Sequence, residues 1–178
     1  HGWTVDGFPA GEPMPPGLDW DAWHAARPLR PFSKRLHPEN WRGWFAYGNG
    51  AFGDWGPHIL DTTHRFLNLG LPHTIEAVKR DEPNRFIFPQ ASTIRFDFGP
   101  RQGMPPVEVF WYDGAKNRPP LPAELGPDAT LTEQNGKFIY SKTLVFKGGT
   151  HGDTLRIIPD DRMRELAASL PRIGGGFS

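Results

Sequence analysis

The sequence predicts an α+β fold with an open, predominantly antiparallel β-sheet. Three observations point there. One long stretch, residues 51–69, repeats its apolar residues at helical spacing. Every apolar run after it is short, rich in β-branched or aromatic residues, and bounded by Gly or Pro. No helical pattern separates these runs, so they lack the crossovers that parallel pairing requires and should pair antiparallel, with the helix packed against them.

The elements follow in order. Residues 1–40 form a proline-rich arm in which only "LDWDAWHAA", residues 18–26, can make a short helix, with Asp19 as its N-cap. Trp20 and Trp23 are the arm's docking points, through packing or ligand stacking. In the long helix Phe52, Trp55, Ile59 and Phe66 recur with Leu60 and Leu67, and Gly70 and Pro72 supply a stop. Pro57 suits a first helical turn, which places the regular helix from about Asp54 or Trp55. Strands are expected over 74–80, 92–98, 107–113, 137–141, 143–147 and 154–158, and a second helix over 159–170. Ile94, Phe96 and Phe98 alternate with Arg95 and Asp97, as in a strand with one buried face.

Composition narrows the function. A chain of 178 residues suits a single domain, and 20 basic against 20 acidic residues give no field for nucleic acid or an anionic membrane. No run approaches the ~18 apolar residues of a membrane span. With no cysteine, disulfides, thiolate metal sites and a cysteine nucleophile are excluded. The 21 Gly, 20 Pro, 7 Trp and 13 Phe describe loop-rich structure with aromatic anchors.

The stretch "GNGAFGDWGPHILD", residues 48–61, admits two readings. Gly48, Gly50 and Gly53 fit the G-x-G-x-x-G of a dinucleotide loop, and Asp81 would be its acidic partner. That loop must follow a hydrophobic strand, however, and "NWRGWFAY" is a poor one. Alternatively, Asp54, His58 and Asp61 fall on one helical stripe with Arg65. A carboxylate one turn from an imidazole can orient a general base. The same residues can also ligate a divalent metal, or be only a capping Asp and a solvated His.

"GLDWDAWHAARPLRPF", "HPENWRGWFAYGNGAFGDWGPHILD" and "VFWYDGAKNRPP", in that order, closely resemble the carboxyl-terminal domain of the Gfo/Idh/MocA family of NAD(P)-dependent sugar and cyclitol oxidoreductases. The likeness runs from Gly17 to Pro122 and more loosely to Pro171. Its most specific part is G-x-x-x-D-x-G-x-H-x-x-D, matched by Gly50, Asp54, Gly56, His58 and Asp61. The resemblance implies helices on one sheet face, with the other free for homo-oligomer contacts. It makes His58 the base that removes a hydroxyl proton and Asp54 the residue that positions or tunes it. Asp61 is then a substrate-site or structural residue. Trp41, Arg42 and Tyr47 are candidate sugar-site residues, with core packing an equal alternative for Trp41; Trp111 and Tyr112 lean to structure.

The resemblance implies NAD or NADP in the complete enzyme, held by an amino-terminal Rossmann domain with a Glu-Lys-Pro lysine. The expectation is that both are missing here, as is a final carboxyl-terminal helix, and that this fragment alone binds no cofactor, needs no metal and is inactive. The glycines of 48–53 become a helix entry whose backbone runs close under a ligand. Expected partners are a sugar or cyclitol, the Rossmann domain and further copies of the chain, with no nucleic acid and no membrane. An NAD-dependent glycosidase, a carbohydrate-binding module and an oligomerisation domain are the alternatives. The compartment, cytoplasmic or exported, is left open.

Overall fold

A computed structural model describes residues 5–81, 84–130 and 135–169. Among the described residues three α-helices, α1 (Trp20–His24), α2 (Gly50–Phe66) and α3 (Asp160–Ser169), accompany six strands. The strands are β1 (Thr74–Arg80), β2 (Ser92–Phe98), β3 (Val107–Asp113), β4 (Lys137–Tyr140), β5 (Val145–Gly148) and β6 (Arg156–Ile158). All the observed pairings are antiparallel, and they form two three-stranded meanders, β1-β2-β3 and β4-β5-β6. The fold is therefore α+β, as the runs without crossovers predict. Leu170 and residues 171–178 lie outside the described residues.

The chain divides into two compact units, one of His1–Pro57 with Leu67–Pro119, the other of His58–Phe66 with Pro120–Ser178. In the first, the arm supplies much of the core. Trp20, Phe32, Leu36, Trp44 and Ile87 are buried together, with Phe8, Trp23, Tyr47 and Phe86 packed around them. Trp44 is wholly inaccessible, and its Nε1 donates to the Arg35 carbonyl at 2.8 Å. Asp19 caps α1 by accepting from the Ala22 amide. Trp20 and Trp23 stack face to face at 4.4 Å, and Trp20 donates to the Arg30 carbonyl at 2.7 Å, so Trp20 serves packing. Phe52 of α2 stacks on Phe96 of β2 at 5.3 Å and meets Trp111 of β3 edge-on at 5.2 Å, which seats the first turns of the helix on one sheet face.

The opposite face of β1-β2-β3 is charged and aromatic. The register aligns Glu76, Arg95 and Phe110 across the sheet, and Arg95 pairs with Glu76 at 2.9 Å and Asp97 at 3.3 Å. Trp111 and the Asp113–Asn117 turn are structural: Asp113 accepts from Trp111 Nε1 and the Ser92 amide, and buried Asn117 donates to Thr93 Oγ1.

α2 departs from expectation at both ends. It begins at Gly50, four residues before Asp54, and Pro57 lies inside it rather than in its first turn. The proline forfeits the bond to the Gly53 carbonyl. The helix persists because both halves are anchored: Phe52 packs in the first unit, and Phe66 meets Phe146 at 5.6 Å in the second. It ends at Phe66 because Asn68 adopts φ 48°, a left-handed C-cap geometry that stops the helix before Gly70.

In the second unit β4-β5-β6 buries Ile139, Val145 and Ile158, and α3 follows β6 directly. Among the described residues no helix is long and apolar enough to cross a membrane.

Candidate functional site

The site is built outward from α2. At about 100° per residue, Asp54, His58, Asp61 and Arg65 share one stripe. From Asp54 onward, the buried positions Gly56, Ile59 and Thr63 fall on the opposite side, while Gly50, buried at the helix start, lies on the stripe itself. His58 and Asp61 are accordingly exposed. Asp61 lies 4.0 Å from Arg65 one turn on, an exposed pair of small energetic weight.

The first unit fixes Asp54. A 3₁₀ helix, Asn40–Gly43, presents Arg42, whose Nε donates to Asp54 Oδ1 at 3.1 Å. Arg42 also donates to the Glu39 carbonyl and lies over the Trp41 ring at 4.7 Å. Thus Trp41, Arg42 and Asp54 come together. Tyr47 joins a different group: its hydroxyl lies 3.2 Å from His24 Nε2 and accepts from Arg30 Nη1 at 3.3 Å. His24 Nδ1 sits 2.9 Å from the Trp20 carbonyl, which can only accept, so Nδ1 carries the proton and Nε2 is the acceptor, facing the Arg30 amide at 3.3 Å as well as the Tyr47 hydroxyl. Sequence reasoning missed His24 and Arg30; the available signal was His24 one turn after Trp20 on α1.

The glycines are consumed by packing. A Cβ on Gly48 would fall 2.4 Å from the Arg42 carbonyl oxygen, and one on Gly50, at φ 69°, would strike the Phe88 ring at 2.7 Å. The expectation that this backbone runs close under a ligand is therefore corrected: what it passes at close range is the protein itself. The residues preceding Gly48 form the 3₁₀ helix rather than a strand, and β1, which ends before Asp81, pairs antiparallel with β2. The segment does not fit a dinucleotide.

In the second unit the turn after β5 meets α2 at His58. The His151 amide donates to the His58 carbonyl at 2.7 Å, and the two imidazoles lie 4.4 Å apart at 30°. Lys137, only 9% exposed, donates to the Gly149 carbonyl at 2.8 Å. Burial pushes its ammonium below the ordinary lysine pKa, against the opposing pull of Asp153 and Asp61. Neither His151 nor Lys137 stood out in the sequence; the Gly-rich "KGGTHGD" was the only hint. Among the described residues no three His, Cys, Asp or Glu side chains are grouped to hold a metal.

Residues 3–84 match the family model described as the oxidoreductase family, C-terminal alpha/beta domain, that is, the Gfo/Idh/MocA oxidoreductase C-terminal domain. The match includes Trp41, Arg42, Tyr47, Asp54, His58 and Asp61. No curated protein matches the chain.

Proposed function

We propose that this chain is the substrate-binding and catalytic-base domain of a nicotinamide-dependent oxidoreductase acting on a sugar or cyclitol hydroxyl, a reading supported by the family-model match over residues 3–84. The observation that carries the proposal is the Asp54–His58–Asp61 stripe of α2, on which His58 and Asp61 are exposed and Asp54 is half-buried against Arg42. A general base has to reach its substrate, and a helix seated on its other side holds that stripe in place.

In this reading His58 takes the hydroxyl proton. Asp54, held by Arg42, lies one turn before His58 on α2 and is the residue that positions it. Asp61 and the exposed edges of Trp41 and Arg42 contact substrate hydroxyls, and Tyr47 contributes from the segment between the 3₁₀ helix and α2. NAD or NADP, the hydride acceptor, is held by a dinucleotide-binding domain, because the 48–53 glycines are occupied by packing. The sheet face bearing Phe110 and Tyr112 joins further copies of the chain.

The test is His58→Ala in the longest native form of the protein, assayed for reduction of NAD and NADP with a panel of sugars and cyclitols. The expected loss is about 10²–10⁴-fold in kcat. Unchanged turnover rejects the base assignment, and sugar binding without turnover in the wild type supports a non-catalytic carbohydrate module instead.

A further inference from the structure

His58 is exposed on a helix, and an exposed imidazole ordinarily samples several rotamers. A base that takes a proton from one particular hydroxyl needs one orientation. The turn at residues 149–153 meets that need. Its backbone reaches His58 directly, the His151 amide donating to the second lone pair of a carbonyl within the helix, at 2.7 Å. The His151 ring then lies along the His58 ring at 4.4 Å, tilted by 30°.

The turn is built to hold that ring. Thr150 Oγ1 lies 2.8 Å from His151 Nδ1, and the Asp153 amide closes the turn on the Thr150 carbonyl at 3.0 Å. Lys137 ties the Gly149 carbonyl from β4. His151 itself has φ 53°, a left-handed backbone that a non-glycine residue keeps only where its surroundings over-determine it. Burying the Lys137 side chain to anchor an exposed turn is also unfavourable in itself. Strain and burial thus converge on one exposed ring pair.

We infer that His151 is a positioning residue: its ring, clamped by the 149–153 turn and the Lys137–Gly149 hydrogen bond, holds the His58 imidazole in a single orientation. This rests on the reading of His58 as the base. The contact to be tested exists whether or not that reading holds.

The experiment measures the His58 χ1 rotamer distribution by NMR couplings in the 178-residue chain, as wild type, His151→Ala, His151→Phe and Lys137→Met. One rotamer is expected in the wild type and in the Phe variant, which keeps an aromatic face, with averaging over several in the Ala variant and partial averaging in the Met variant. Buried Val145, in the same unit as His58 and His151, is the internal control, and should keep one rotamer throughout. If Val145 averages in the Ala variant, that variant has lost its fold and the Met variant decides. A single His58 rotamer in both the Ala and Met variants overturns the inference, as does averaging in the wild type. In the longest native form, His151→Ala should lower kcat about tenfold at unchanged KM, with Phe restoring it. Failure of the functional reading looks different: His58→Ala then retains turnover while the rotamer results stand.

Discussion

Replacing Gly48 by Ala tests what the glycines of residues 48–53 are for. The added Cβ would lie 2.4, 2.6 and 2.7 Å from the O, Cα and C atoms of Arg42. That is about an ångström inside ordinary contact, and the obstacle is backbone, which cannot swing aside as a side chain can. Overpacking of this kind costs about 3 kcal/mol. Loss of glycine's freedom in the unfolded chain returns about 0.4–1 kcal/mol, leaving a net destabilisation of about 2 kcal/mol. All seven tryptophans fall in the sequence ranges of the first unit, so tryptophan fluorescence in a urea titration reports on that unit. The midpoint should drop by about 1 M. Gly7→Ala, where the new Cβ meets nothing within 4 Å, is the matched control and should be neutral or slightly stabilising. Equal midpoints for the two variants would refute the close-packing argument. Loss of nucleotide affinity at unchanged stability would revive the dinucleotide reading.

Four further outcomes are expected. Arg42→Met should leave stability within about 0.5 kcal/mol, because the Arg42–Asp54 pair is over a third exposed, yet reduce turnover of the complete enzyme; a full-rate variant would remove Arg42 from the site. Trp44→Ala should cost about 3–5 kcal/mol by emptying the core position with no exposure, against under about 1 kcal/mol for half-exposed Phe45→Ala, both by the same urea titration. Lys137 has its folded pKa below 10.5, so the unfolded chain binds more protons between the two values. Wild-type stability, followed by circular dichroism, should therefore rise with pH across that window, and Lys137→Met should be flat there. Glu12 accepts from Ser33 Oγ and the Lys34 amide, and the Ser33 bond foremost lowers its carboxyl below 4.5. This contribution is present above pH 4.5 and lost as pH falls through the lowered value, so protease cleavage of the arm should accelerate on acidification in the wild type and much less in Glu12→Gln.

Most of the secondary structure was legible because its causes are local. The period of Phe52, Trp55, Ile59 and Phe66 marks α2, and the alternation in "STIRFDF" marks β2, whichever partners they meet. The catalytic-type stripe was legible for the same reason: Asp54, His58 and Asp61 are neighbours by helical geometry alone. Boundaries were less so. Pro57 read as a first-turn residue because sequence alone does not reveal that Phe52 and Phe66 anchor the helix on either side of it.

The sequence by itself determined the element types, their order and one face of one helix, since these depend on residues a few positions apart. Tertiary structure alone decided the partners: Arg42 on Asp54, His24 and Arg30 on Tyr47, His151 on His58 and Lys137 on Gly149. It also gave the glycines their neighbours and grouped the strands into two sheets. Such contacts join residues well separated along the chain, and the residues carry no mark of one another. Chain packing brings them together, driven by burial of the aromatic arm and the sheet faces, and that packing also sets the side-chain orientations that chemistry requires.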